Sequence, residues 1–362
     1  MIPPLPPGLD ALADQPSIAP RGVIARGRAL GLSAAMLAAT GAATLAWGQV
    51  ERRLPAVRHV HVPVEASRGT RELRILQISD LHLYPGQEFL VDFLTRVART
   101  QPIDMVLSTG DNFGSADGLP LVRAAHAPFL GLPGAFVLGS NDYYSPRHKN
   151  WAHYLRRDPR VSGDPRLGLW NGSEDEFGTP SRGLPHSLDL GHDDQIPDLP
   201  WRAFVADLDA AGWADLSNRA ATLDIATQGG GGVQRVSLIG VDDPHLGRDR
   251  LPAPDASWTD PRALRLAVTH APYVRVVDAF AHRHPDVIVA GHTHGGQVAL
   301  PFLGAIVTNC DLPRRFARGL HMWTAGDDAA LLQVSAGLGT SPFAPVRVAA
   351  RPEVTVIHLM PV

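Results

Sequence analysis

The sequence predicts an α/β domain whose core strands run mostly parallel. Three observations predict it. Apolar, β-branched runs of strand length recur along the chain. Segments with helical spacing separate the first of them, giving a β-α-β-α-β rhythm that calls for parallel pairing through crossover helices. Several strands also end directly on Asp, Asn or His in a glycine-containing turn.

In chain order, residues 1–28 open on Met1-Ile-Pro-Pro-Leu-Pro-Pro7 and are expected to form a disordered tail. Arg21, Arg26 and Arg28 precede an uncharged run over residues 29–47. That run is just long enough to cross a bilayer, which takes about 20 residues, but Ala, Gly and Thr make its insertion weak. A signal anchor, a cleaved signal peptide and a plain amphipathic helix compete here. Thr44-Leu-Ala46 offers a small-x-small cleavage site before Trp47. Arg26-Gly-Arg28 is not a consecutive arginine pair. The reading favoured is a membrane anchor, with the following domain on the extracytoplasmic side, although Arg52, Arg53 and Arg58 beyond the run weaken any vote on orientation.

The folded domain is expected over 58–362. Val60–Val64 alternates like an edge strand, and Leu73–Ile78 reads as a buried one. Phe89–Thr100 has the spacing of a helix ending before Pro102, and Leu121–Leu130 reads as a second. Met105–Leu107 and Ala135–Leu138 are the next strands. From 158 to 199, Gly, Pro, Asp and Ser crowd the chain without a period, which predicts a long surface insertion. Trp201–Ala211 returns as a helix. Ala220–Ala226 and Val233–Val241 suggest a hairpin around Gly229–Gly232, and Leu264–Val268 and Val287–Val289 are buried strands. Ala305–Val307, Ala329–Val334 and Val354–Leu359 make the C-terminal third strand-rich and point to a second sheet.

Of the 362 residues, 44% are hydrophobic and 19% charged, so a large core is possible. A net charge of -3 without a basic stripe implies no nucleic-acid partner. The single cysteine, Cys310, excludes an internal disulfide and a Cys-rich zinc site.

The chemistry gathers at strand ends. Ile78 leads into Ser79-Asp80-Leu81-His82, Leu107 into Thr109-Gly110-Asp111-Asn112, and Leu138 into Gly139-Ser140-Asn141-Asp142. Val268 leads into Thr269-His270, and Val289 into Gly291-His292-Thr293-His294. Ligand crevices of open α/β sheets lie at the carboxyl ends of strands, so these residues can converge. Neutral imidazole is the commonest metal ligand, and glycines beside His292 and His294 let the chain turn where side chains would block it.

These residues resemble the ordered motifs of the calcineurin-like metallophosphoesterases. Asp80-x-His82, Gly110-Asp111, Gly139-x-Asn141-Asp142, His270 and Gly291-His-x-His294 carry the resemblance. Gly291-His-Thr-His-Gly-Gly-Gln297, Val334-Ser-Ala-Gly-Leu-Gly-Thr340 and Arg351-Pro-Glu-Val354 are similar to a bacterial subgroup of membrane-linked or exported enzymes. Some of that subgroup act on a UDP-diacylglucosamine type of pyrophosphate. The resemblance covers roughly residues 60–360 and implies a four-layer α/β/β/α sandwich: two mixed sheets flanked by helices. It implies two divalent ions (Mn, Fe or Zn), the first held by Asp80, His82 and His294, the second by Asn141, His270 and His292, with Asp111 bridging them. The implied activity is hydrolysis of a phosphodiester or pyrophosphate bond by a metal-bridging hydroxide, on a substrate that could be lipid-linked. Asn112 and Asp142 are expected to line the substrate.

The chain departs from the family where Gly-Asn-His-Asp or -Glu is usual. Read without gaps, Ser140 takes the Asn position and Asn141 the His position. Either Asn141 shifts to reach the metal, the reading favoured, or Ser140 or a water replaces it. The usual leaving-group histidine is absent either way. The substrate would then carry a good leaving group, or Asp142 or His245 would supply the proton. The alternative to an enzyme is a non-catalytic scaffold that binds a partner, but such a scaffold should have lost Asp or His ligands. Asp242-Asp243-Pro244-His245 is weighed as a structural turn, and Tyr143 and Tyr144 as a buried wall.

Overall fold

Leu73–Ile78 (Leu-Arg-Ile-Leu-Gln-Ile) carries apolar side chains toward both its faces because both are covered. Ile75 packs between two sheets with Leu107, Val137, Leu238, Val268, Val289 and Ile357. Leu76 and Ile78, on the other face, pack against Leu90, Phe93, Leu94 and Val97 of the helix Glu88–Thr100. Burial of each such side chain stabilises by about 1.5–3 kcal/mol. A strand buried on both sides takes apolar residues on both faces rather than alternating.

The structure, a computed structural model, describes residues 36, 39–146, 196–227, 232–300, 304–306 and 308–362. It divides into two compact units, Met1–Ala46 and Trp47–Val362. In the first, residues 39–46 are helical and exposed. The disordered tail expected over residues 1–28 and nearly all of the insertion at 158–199 lie outside the described residues, as do positions 29–35 and 37–38 of the expected membrane span. Among the described residues, no helix is long and apolar enough to cross a membrane.

The strands of the second unit are β1 (Ala56–Val64), β2 (Leu73–Ile78), β3 (Met105–Ser108), β4 (Gly134–Phe136), β5 (Ala214–Asp215), β6 (Arg219–Ala226), β7 (Val233–Gly240), β8 (Leu264–Val268), β9 (Val287–Ala290), β10 (Ala299–Leu300), β11 (Gly304–Ala305), β12 (Gly319–Ala325), β13 (Asp328–Val334) and β14 (Glu353–Pro361). One sheet has the order β1-β14-β2-β3-β4-β5, the other β12-β13-β9-β8-β7-β6, and β10-β11 form a small ribbon. In the first sheet only β14 with β2 is antiparallel. In the second, β7, β8, β9 and β13 are parallel, with antiparallel β6 and β12 at the edges.

Helices Glu88–Thr100 and Leu119–His126 cover the first sheet, and Val274–Ala281 covers the second through Val276, Val277 and Phe280. The result is the expected four-layer α/β/β/α arrangement. The C-terminal strand-rich third is shared between the sheets rather than forming one. β12 and β13 extend the second sheet, while β14 crosses into the first between β1 and β2. Its pairing with β1 is in register over the full length of both, which makes β1 the edge strand that its alternation suggests.

His126 ends the helix Leu119–His126 inside the first sheet's core, against Phe204 and Trp213. Its Nδ1 meets Val122 O at 2.9 Å, and its buried Nε2 has no partner. Burial lowers its pKa to about 4, so the folded state keeps it neutral while the unfolded chain protonates it near 6.5. The unfolded state therefore binds more protons between those values. Stability is full above about pH 6.5 and falls as pH drops toward 4, by up to about 3 kcal/mol. His126→Leu is expected to lower the midpoint of acid unfolding, followed by circular dichroism; an unchanged midpoint would show that this imidazole does not drive the loss.

Candidate metal centre

The carboxyl ends of β2, β3, β8 and β9, with the chain after β4, bring the expected ligands to one place. The two sheets are tied together just beneath it: Gln77 Nε2 donates to Ala290 O at 2.8 Å and contacts Thr109 Oγ1 at 3.2 Å. The loops are then laced by their main chains. Asp80 N donates to Gly110 O at 2.9 Å, His82 N to Asp111 O at 3.0 Å and Gly291 N to His270 O at 2.9 Å.

Asp80, His82, Asp111, His292 and His294 all have positive φ, between 41° and 70°. For residues with a Cβ that backbone is costly, on the order of 1–2 kcal/mol each. Such strain persists only where surrounding structure over-determines it, and it clusters at functional sites. Five strained residues in one cleft are hard to ascribe to packing.

Six buried side chains fall into two groups of donor atoms, Asp80-His82-His294 and Asp111-His270-His292. In the first, His82 Nε2 and His294 Nε2 lie 3.0 Å apart and His294 Nε2 lies 3.5 Å from Asp80 Oδ1. In the second, His292 Nδ1 and His270 Nε2 lie 3.2 Å apart. Asp111 faces both: Oδ2 is 3.4 Å from His82 Nε2 and Oδ1 is 3.4 Å from His270 Nε2. Nitrogens about 2.1 Å from one cation, at 90–110° to each other, sit about 3.0–3.4 Å apart. The donor spacing therefore fits two cations sharing the Asp111 carboxylate.

Two of the imidazoles are held by their far nitrogens, while the buried Nδ1 of His82 has no partner. His270 Nδ1 meets Thr109 O at 2.8 Å and His292 Nε2 meets Asn309 O at 3.3 Å, which fixes the tautomers that present His270 Nε2 and His292 Nδ1 as lone-pair donors. Burial, then the Arg347 and His82 charges, hold His294 well below its ordinary pKa, so the ring is neutral. Burial likewise lowers His82. Burial opposes charge on Asp111 and His270, yet their attraction wins: the carboxyl is pulled down and the imidazole pushed well up. A cation held at His270 Nε2 would require that nitrogen to be unprotonated.

The Calcineurin-like phosphoesterase family matches residues 73–296. The chain belongs to that family. No curated protein matches. Among solved structures, TT1561 of Thermus thermophilus is 10% identical, covering 74% of this chain and 90% of its own, with a TM-score of 0.35. A dimetal phosphatase from Danio rerio is 11% identical over 74% and 88%, with a TM-score of 0.32. GAP50, the anchor in the inner membrane complex of Plasmodium, is 10% identical over 74% and 73%, with a TM-score of 0.31. The assignment rests on the family match.

Where this calcineurin-like phosphoesterase departs from the usual motif, Asn141 N donates to Asp111 Oδ1 at 2.7 Å, and Asn141 Nδ2 donates to Tyr144 O at 3.0 Å. Ser140 turns its main chain to Tyr144, whose N–H its carbonyl accepts. Asn112 and Asp142, expected to line the substrate, bond to each other: Asn112 Nδ2 donates to Asp142 Oδ1 at 2.9 Å. Asp142 is fully buried, and its carboxylate accepts from Asp111 N, Asn112 N, Gly139 N and Asn112 Nδ2 at 2.8–2.9 Å. That carboxylate braces the Asp111 loop. Four donors leave it no free face, so it is no proton source either.

Asp242-Asp243-Pro244-His245 does form a turn: Asp243 Oδ1 accepts from His245 N and caps the short helix Pro244–Leu246. The same turn reaches the site, since the His245 ring centroid lies 4.8 Å from that of His292, and His245 Nδ1 lies 2.9 Å from Tyr273 OH. Asp243 is fully buried, and burial pushes its pKa up to about 8. Tyr143 is a buried wall whose hydroxyl donates to Asp242 at 2.9 Å.

Sequence reasoning missed the carbonyls of Thr109 and Asn309, which no side-chain pattern reveals. It also missed Arg347. A lone arginine inside the apolar Val346–Ala350 stretch was the available signal.

Proposed function

We propose that this chain is a binuclear metal-dependent hydrolase of a phosphodiester or pyrophosphate bond. The observation that supports it most is the position of Asp111, one carboxylate oxygen toward each donor group. Asp80, His82 and His294 would hold one ion; His270, His292 and Asn141 would hold the other. Once bound, two divalent ions would supply a nucleophilic water at neutral pH and neutralise charge on the phosphoryl oxygens.

The protein's own part is positioning. Asp142 and the Asn112 amide hold the Asp111 loop, while Thr109 and Asn309 aim two imidazoles. Preorganised donors of this kind avoid reorganisation during reaction. The pair His245 and Tyr273 flanks the second group and would touch a substrate seated there. A lipid-linked pyrophosphate, anchoring through residues 29–47 and an extracytoplasmic site are parts of the same reading, and they rest on the uncharged N-terminal run.

Assays of generic monoester, diester and pyrophosphate substrates with added Mn test the reading. Turnover abolished by a chelator and restored by the metal is expected; binding of a protein partner without turnover would instead favour a scaffold. Because the motif lacks the leaving-group histidine, rates on aryl phosphodiesters should fall steeply as leaving-group pKa rises. A flat dependence would show that a proton donor is present.

A further inference from the structure

Arg347 lies behind the first donor group. It is fully buried, and no other arginine among the described residues is buried. Burying a guanidinium costs several kcal/mol unless its donors are met, so what it bonds explains why the fold keeps it there. Nη1 donates to His294 O and Ala336 O, both at 2.7 Å, and Nη2 donates to Gly339 O at 2.6 Å. Nη2 also lies 3.0 Å from His294 Nδ1, on the ring edge away from the Nε2 that faces Asp80 and His82. Nε has no partner.

These bonds join the loop that carries His294 to the loop that backs Asp80. His294 has φ 51°, a backbone that needs an external hold, and its carbonyl is the atom Arg347 grips. The 336–339 loop backs Asp80: Gly339 N donates to Asp80 O at 2.7 Å and Leu338 N to Ser79 O at 3.0 Å. At Gly337 a Cβ would stand 2.6 Å from Asp80 Cβ, so the contact is close-packed. None of the Arg347 side-chain bonds reaches His270, His292 or Asp111.

We propose that Arg347 is a positioning residue for the first donor group, fixing His294 and Asp80 relative to each other. The inference rests on the binuclear reading above. Outer partners of metal ligands typically change affinity by about 10–100-fold when mutated.

The test loads the full chain and its Arg347→Lys and Arg347→Met variants with Mn. Bound metal is measured by elemental analysis, and spin coupling between ions by electron paramagnetic resonance, with His294→Ala as the reference for loss of the first ion. The wild type should bind two ions and show a coupled signal. Arg347→Lys should bind the ion beside His294 at least about tenfold more weakly than the wild type and show an uncoupled signal at limiting metal. Arg347→Met should match His294→Ala. Two ions at wild-type affinity in both variants would overturn the inference while leaving the binuclear reading intact. So would unfolding of metal-free Arg347→Lys, judged by circular dichroism, which would make the role merely structural. Fewer than two ions in the wild type would overturn the binuclear reading itself.

Discussion

Asp111→Asn is expected to lower turnover by about a thousandfold and to reduce bound metal from two ions to one or none. The substitution keeps the shape of the side chain but removes the charge shared between the two donor groups. It also leaves His270 without its acidic partner. Removing one member of a buried ion pair costs roughly 3 kcal/mol, which a domain of this size should survive. Circular dichroism should therefore show an intact fold beside the lost activity. Retained turnover with full metal content would mean that Asp111 does not bridge. Loss of fold would point to the brace made by Asp142 and Asn112, which the Asp111 loop depends on.

Gly339→Ala should have the largest effect on stability, although position 339 supplies no ligand. A Cβ there would lie 1.8 Å from Leu81 O and 3.0 Å from Asp80 O. Those are main-chain atoms in the strained loop between two ligands, so nothing nearby can swing aside. A cost of roughly 3 kcal/mol or more is expected, with melting lowered by about 5 °C or more. Gly131→Ala is the control. Nothing lies within 4 Å of its Cβ position and its φ is not positive, so its effect should stay within about 0.5 kcal/mol. Equal melting temperatures for the two variants would show that the 336–339 loop yields more easily than its packing implies.

The parts of this protein that sequence makes visible are those where one face or one turn decides the outcome. Leu73–Ile78, Leu264–Val268 and Val287–Ala290 are buried on both sides, so their apolar runs announce strands, and their ligands follow within a few residues. The helix Val274–Ala281 was not anticipated. Its Val-Arg-Val-Val start is as compatible with a strand, and the crossover from β8 to β9 settles it as a helix. The edge strand β12 was missed because it is half exposed and shows no clean alternation. Nor could sequence place β14, since its partners β1 and β2 lie almost 300 residues away along the chain.

The site divides in the same way. Residue types and glycine spacing pick out Asp80, His82, Asp111, His270, His292 and His294, because metal chemistry restricts what can stand there. The roles of Asp142 and Arg347 depend on what surrounds them in space. Asp142 reads as a ligand-like carboxylate at a strand end, yet its four donors make it a brace. Arg347 is buried beneath His294, which sequence neighbours alone do not show.

The most direct test is anomalous X-ray diffraction from crystals grown with Mn. Two peaks are expected roughly 3.5–4 Å apart, one among Asp80, His82 and His294, the other beside His270 and His292, with the Asp111 carboxylate between them. A single peak, or peaks away from these side chains, would contradict the binuclear assignment.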